Sequence, residues 1–336
     1  MFRTNSRALV AALLALPLIL SACAGPGETP EASPEATIEA EPSPEPSPTP
    51  TPTIEPSTSL DGIEVTGKAG EEPQISFEFP MAIDVTRSQV LAKGDGPVIT
   101  ENSIVELHYR GVLGRTGEEF DSTYAEGKPA VFPVGRTVRG FAMGLVGKHV
   151  GDRVLLAIPG EDAYDDAVAT GVGPSWARVG DTLVFVVDIV AASLEEPTGK
   201  QVTTEFREVT VSGGAKPEVT IPKDSKPPAD LVVQTVIRGE GRKVTDKDVV
   251  VTHYRTWLWR TGELLEDRFS TNQTGRLTDT LEAWKKGLPG QTTGSRVLLV
   301  APSADTYPFG NPKLKVEPGD TLVYVIDVLF ASPHMV

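Results

Sequence analysis

One cysteine, Cys23, and four histidines are all that this 336-residue chain offers for thiol or imidazole chemistry. A lone cysteine forms no intramolecular disulfide, so the fold must rest on core burial, which domains of ~120 residues can supply. His108 and His253 fall on the outward side of strand-like segments, and the histidines are too scattered for a metal-ligand pattern. No metal and no cofactor is expected. What remains is an acid among aromatics. Asp121 precedes Ser122-Thr123, where an aspartate ordinarily serves a turn. Phe120, Phe132 and Phe185 lie in strand-like segments, and Tyr109 shares a face with Val105 and Leu107, so each taken singly reads as core. Only their joint spacing lifts them above that default. The formal net charge of -15 and pI of about 4.8, with no basic face, exclude a nucleic-acid partner.

An internal repeat must position these residues. Val105-Glu106-Leu107-His108-Tyr109-Arg110 answers to Val250-Val251-Thr252-His253-Tyr254-Arg255. Gly151-Asp152-Arg153-Val154-Leu155-Leu156 answers to Gly294-Ser295-Arg296-Val297-Leu298-Leu299, and Gly180-Asp181-Thr182-Leu183-Val184-Phe185 to Gly319-Asp320-Thr321-Leu322-Val323-Tyr324. The order is kept, so the chain holds a duplicated domain of ~120 residues, too few copies for a solenoid. Strand signals dominate each copy: alternation over 103–109, and Val/Ile/Leu-rich runs at 154–158 and 182–190. One short helix is expected within 138–146, where Val138, Phe141, Ala142 and Leu145 share a face; Leu281, Trp284 and Leu288 are its counterparts. The resulting fold class is α+β.

Outside the repeat lie an N-terminal address and a tether. Arg3 and Arg7 precede an apolar stretch over 8–20 that is too short to span a bilayer and reads as a secretory signal. Leu20-Ser21-Ala22-Cys23 resembles a bacterial lipobox. That resemblance implies cleavage before Cys23, acylation of its thiol, and anchoring to the outer face of the cell membrane, facing the cell wall or extracellular space, by more than one acyl chain. Residues 24–58 hold ten Pro and seven Glu and no Lys or Arg, a composition that cannot bury a core. As polyproline II this stretch would reach on the order of 100 Å. The expected domains are therefore a signal over 1–22, an anchor and tether over 23–58, a first domain over 59–195 with its core at 87–192, and a second over 200–336 with its core at 231–331.

The first copy resembles an FKBP-type peptidyl-prolyl cis-trans isomerase. The resemblance rests on His108-Tyr109-x-Gly111, Gly117-x-x-Phe120-Asp121-Ser122, Phe132-x-x-Gly135, Val138-x-Gly140-Phe141, Gly144-Leu145-x-Gly147, Ile158-Pro159, Ala163-Tyr164 and Thr182-Leu183-Val184-Phe185. Flanking pieces at 63–67 and 73–77, repeated at 209–213 and 217–221, resemble an extension seen in actinobacterial FKBP-like domains. The resemblance implies two tandem domains, each an antiparallel sheet half-wrapped around one short helix, with an apolar pocket between. Tyr109, Phe120, Phe132 and Phe185 would wall it, Val138 and Phe141 would floor it, Tyr164 would bring a hydroxyl to the rim, and Asp121 would be its acid. Partners would be X-Pro segments of exported or unfolded proteins, with macrolide inhibitors competing and the membrane reached through the lipid anchor. A monomer is expected.

Isomerisation breaks no bond, so it needs neither nucleophile nor metal. The barrier to amide rotation is ~18–20 kcal/mol, and a dry aromatic pocket favours the twisted, less polar amide. A thousandfold acceleration needs only ~4 kcal/mol. Some positions depart from the family. Asp165-Asp166 follow Tyr164 where Gly is usual, which would put negative charge at the pocket mouth; Ala130 stands where another aromatic often sits; and the 171–180 loop with Trp176 lacks an Ile-Pro pair. In the second copy Leu265-Glu266 replace Phe120-Asp121, and the Phe132 position falls between 275 and 277, while Tyr254, Leu281, Trp284, Tyr307 and Tyr324 remain. A shallower, wetter second pocket is expected, one that binds or braces while the first catalyses. The competing readings are a non-catalytic binding module and a holding chaperone.

Overall fold

A computed structural model describes residues 54–202, 206 and 209–335. The signal segment, Cys23 and the tether up to residue 53 lie outside the described residues. The last part of the stretch expected as tether is already held by the fold: the Ser57 amide donates to the Ala82 carbonyl at 2.8 Å, and the Ser57 carbonyl accepts the Asp84 amide at 3.1 Å.

The first domain opens on a hairpin of β1 (Glu64–Thr66) and β2 (Gln74–Ser76). There follow β3 (Arg87–Ala92), β4 (Ile104–Leu113), β5 (Glu119–Ser122), β6 (Ala130–Pro133), α1 (Arg139–Leu145), β7 (Arg153–Ile158), α2 (Asp165–Ala169) and β8 (Leu183–Ala192). The antiparallel sheet runs β3-β7-β8-β4-β5, with β6 also on β4. β5 and β6 share one edge of β4, at residues 110–112 and 104–107.

β7 and β8 read as continuous apolar runs because both faces of the sheet are covered. Val154, Leu156 and Ile158 face the core under α1, while Leu155 and Ala157 face a second core beneath the β1–β2 hairpin with Ile63, Val65 and Ile75. α1 lies close on β7 because Gly140 and Gly144 carry no Cβ; one at either place would drive into Ile158 or Leu156. Behind the sheet, Arg153 and Asp188 form a buried bidentate pair at 2.6 and 2.7 Å. Arg153 also donates to the Gly67 and Glu71 carbonyls, and Asp188 accepts from the Gly70 amide and the Tyr124 hydroxyl, so one ion pair ties the hairpin down. His108 is no free surface group: its ring meets the Thr123 hydroxyl at 3.1 Å and stacks on Tyr124.

The second domain repeats the plan with β9 (Lys200–Gln201), the hairpin β10 (Thr210–Ser212) and β11 (Glu218–Thr220), then β12 (Val232–Arg238), β13 (Val249–Leu258), β14 (Leu264–Asp267), β15 (Gln273–Arg276), α3 (Glu282–Gly287), β16 (Ser295–Ala301) and β17 (Leu322–Ser332). Its sheet runs β14-β13-β17-β16-β12-β9, with β15 on β13. Arg296 and Asp327 repeat the buried pair.

The two domains form one compact unit. The Leu194 amide donates to the Leu329 carbonyl at 3.0 Å, and Thr198 to Gly294 at 3.2 Å. Ile104 of the first domain joins Val249, Val251, Phe330 and Met335 of the second in a shared buried cluster, flanked by Val131 and Ala191. The architecture is the expected α+β pair of half-wrapped sheets, with one addition: the first domain carries a second short helix, α2, immediately after Tyr164.

Candidate functional site

The site grows from the inner side of β4. Tyr109 points into the space between sheet and α1, and the next inward position, Gly111, is empty of side chain. A Cβ at Gly111 would stand 2.7 Å from the Phe120 ring and 2.8 Å from the Phe185 ring. Its absence lets those rings meet edge to face, with centroids 5.4 Å apart. Phe120 arrives from β5, Phe132 from β6 and Phe185 from β8, while Val138 precedes α1 and Phe141 lies on it. Phe141 is the hub: its ring lies edge-on to Phe185 at 5.1 Å, Phe132 at 5.9 Å and Tyr109 at 6.2 Å. Such geometry is the favoured one for aromatic pairs.

These side chains surround a hollow of ≈ 380 Å³ lined by Tyr109, Phe120, Asp121, Phe132, Val138, Phe141, Tyr164 and Phe185, with Arg136, Thr137 and Trp176. Every residue singled out from the sequence for the first domain is on that lining. Arg136, Thr137 and Trp176 were not. Trp176 stacks on Phe120 at 4.3 Å and meets Tyr164 edge-on at 5.4 Å, closing the wall on the loop side. Its only signal in the sequence was a large aromatic in a loop without the usual Ile-Pro pair.

The polar groups divide their work. The Tyr109 hydroxyl donates to Asp121 Oδ2 at 2.7 Å. Burial, then that bond, pushes its pKa well above the ordinary tyrosine value. Burial and the nearby Asp121 charge raise Tyr164 as well, so it stays a protonated donor at neutral pH. Asp165 does not place its charge in the hollow: its carboxylate turns away to accept the Gly180 amide at 2.8 Å, and neither Asp165 nor Asp166 is on the lining. Both sit in the first turn of α2, where negative charge complements the helix dipole. Ala130 also lies off this lining.

The second domain holds a hollow of equal size, ≈ 380 Å³, with Tyr254, Leu281, Trp284, Tyr307 and Tyr324 all on its lining. The volume is kept and the walls have changed. Strand register fixes the exchange. Phe132 pairs with Val105, and Gly275 pairs with Val250, so Gly275 stands where Phe132 does. A Cβ there would meet nothing within 4 Å. Thr252, Gln273, Thr274, Asp279 and Thr280 bring polar groups to this lining, Glu266 takes the place of Asp121, and no residue repeats Trp176. The wetter character follows from these. Arg268 lies 3.6 Å from Glu266, and its amide donates to the Tyr254 carbonyl at 2.8 Å, whereas Asp121 forms no ion pair among the described residues. Trp284 Nε1 is buried with no hydrogen-bond partner among the described residues.

Comparison with known proteins matches this chain twice to the model of the family "FKBP-type peptidyl-prolyl cis-trans isomerase", over residues 96–190 and 240–329. An FK506-binding protein of Streptomyces anulatus is 37% identical over 126 residues, covering 36% of this chain and 97% of its own. A probable FK506-binding protein of Corynebacterium glutamicum is 37% identical over 123 residues, covering 36% of this chain and 99% of its own. Among solved structures, FkpA from Escherichia coli is 31% identical with a TM-score of 0.29, covering 32% of this chain and 47% of that one.

Proposed function

The chain belongs to the FKBP-type peptidyl-prolyl cis-trans isomerase family, carrying its domain twice, and from that premise we propose that catalysis resides mainly in the first domain. The observation that carries this is the convergence of Phe120, Phe132, Phe141, Phe185 and Trp176 on one hollow that Tyr164 also lines. A prolyl ring entering there sheds water, and its amide loses little on twisting because the planar form's larger dipole finds no solvent to favour it. Tyr109 is committed to Asp121 and holds the wall in place. The Tyr164 carbonyl accepts the Val168 amide at 2.8 Å, but its hydroxyl makes no hydrogen bond among the described residues, so that proton is free for a substrate carbonyl. Holding that carbonyl as the C–N bond rotates is the contribution we assign to it.

The second domain, with Gly275 and Leu265 in place of two aromatic walls, serves as a binding and bracing element. The substrates are X-Pro segments of exported proteins, and a macrolide of the rapamycin type competes for the first hollow. The chain works as a monomer, anchored by acylated Cys23 to the outer face of the cell membrane on its Pro/Glu-rich tether. A protease-free peptide isomerisation assay on the full chain tests the assignment. Tyr164→Ala lowers the rate, while the equivalent Tyr307→Ala does so less. The reverse ranking would move the chemistry to the second domain. Saturating macrolide without effect on the rate would exclude the first hollow.

A further inference from the structure

Beside the proline hollow lies a second, polar one of ≈ 470 Å³, and the two share Tyr109 and Asp121. Its floor is β6 with the 122–129 loop, bringing Glu126, Lys128 and Ala130. Its far wall comes from the other domain, as Pro333 and His334. Ala130 matters because it is small. It pairs with Leu107 at the start of β6 and brings only a methyl to the lining of this hollow.

The placement of Pro333 and His334 is not that of a loose tail. β17 ends at Ser332, which is fully buried, and the Ser332 hydroxyl accepts the His334 amide at 3.1 Å. Met335 follows, buried in the cluster that joins the domains through Ile104, Val249 and Phe330. The segment between is thus pinned at both ends, with Pro333 exposed over the hollow. A substrate is a chain, not a proline alone. Its residues beside the X-Pro bond must leave the apolar hollow, and the neighbouring polar space, which shares Tyr109 and Asp121 with it, suits backbone and polar side chains.

We propose that this polar hollow is an accessory subsite for the peptide flanking the X-Pro bond, and that the second domain completes it with Pro333 and His334. The inference rests on the reading of the first hollow as the catalytic one. The second domain then acts on isomerisation through substrate selection, without twisting an amide itself.

The test compares a short X-Pro peptide with peptides lengthened by about four residues on either side, ~13 Å of extended chain, using the full protein. In the parent, lengthening on at least one side raises kcat/KM about threefold to tenfold, as one or two hydrogen bonds would. In Pro333→Gly/His334→Ala the lengthened peptides fall to the rate of the short one. Ala130→Leu, which fills the same space from the first domain, does the same; melting curves matching the parent show that both variants fold. No gain from lengthening, or a gain that survives both variants, overturns the subsite. Short-peptide isomerisation that survives Phe120→Leu instead overturns the reading of the first hollow, and the subsite with it.

Discussion

Phe120→Leu gives the first domain the wall that the second already has at Leu265. The ring it removes makes a stacked contact with Trp176 at 4.3 Å and an edge contact with Phe185 at 5.4 Å. Each such pair is worth ~0.5–1.5 kcal/mol beyond burial, so their joint loss is about 1–3 kcal/mol. Part of this is folding stability and part is grip on the twisted amide. If about 1.4 kcal/mol is felt only by the transition state, the rate falls about tenfold. Water admitted beside Trp176 adds to the loss, since it restores the solvation that favours the planar amide. The assay is isomerisation of a short X-Pro peptide by the full chain, with melting followed in parallel. A domain larger than about 100 residues shifts roughly 2–5 °C per kcal/mol, so a modest drop in Tm accompanies the loss of rate. A folded variant whose rate stays within about twofold of the parent would refute the reasoning: the second hollow, or neither, would then be the site.

Three further outcomes follow from the same geometry. Burial alone would lift the Asp188 carboxyl, but hydrogen bonds from Arg153, Tyr124 and the Gly70 amide outweigh it and hold its pKa below the ordinary value. Its contribution is therefore complete above the unfolded value of ~3.9 and lost as pH falls through the folded one, so Tm drops below about pH 4; a Tm level down to about pH 2 contradicts this. Asp188→Asn strands the buried Arg153 charge and costs ~3–5 kcal/mol, measurable by denaturant unfolding with earlier proteolysis in the β1–β2 hairpin. Gly275→Phe enters open space on β15 and tightens macrolide binding in the second hollow, read by calorimetry on the Phe120→Leu background; unchanged binding there would show that the missing wall is not what separates the two domains.

Much of this was legible in the sequence, for physical reasons that differ by residue. β7 and β8 carry the apolar runs of a sheet covered on both faces, β4 alternates, and the repetition of all three fixed the domain plan. The wall residues Phe120, Phe132 and Phe185 look like core one at a time, and packed against the core they are; only their mutual spacing marks the hollow. What escaped reading depends on tertiary contact. Trp176 joins the site because α2 and the Asp165–Gly180 bond carry its loop back over Phe120, and the pair Asp165-Asp166 reads as a loop until a helix start is seen to accept it. The counterpart of Phe132 could not be assigned among 275–277 until the pairing of Gly275 with Val250 settled the register. The packing of the domains hung on Phe330 and Met335, apolar residues whose partner, Ile104, lies over two hundred positions away.

The repeats differ where their energetics tolerate it. Behind each sheet a buried arginine–aspartate pair holds the hairpin: Arg153–Asp188 through the Gly67 and Glu71 carbonyls, Arg296–Asp327 through those of Gly213 and Gly214. Losing one partner of such a pair leaves a charge in the interior, at ~3–5 kcal/mol, a large share of the ~5–15 kcal/mol by which a domain is folded. On the other face, an aromatic wall can be exchanged for leucine or glycine at ~1–3 kcal/mol. Gly275 leaves a gap open to solvent rather than a sealed cavity, so part of even that cost is recovered. The chemistry of the hollow is thus more easily altered than the frame that shapes it. A second domain can change its pocket lining, keep its volume, and still give Phe330 and Met335 to a shared core and Pro333 and His334 to the edge of its neighbour's site.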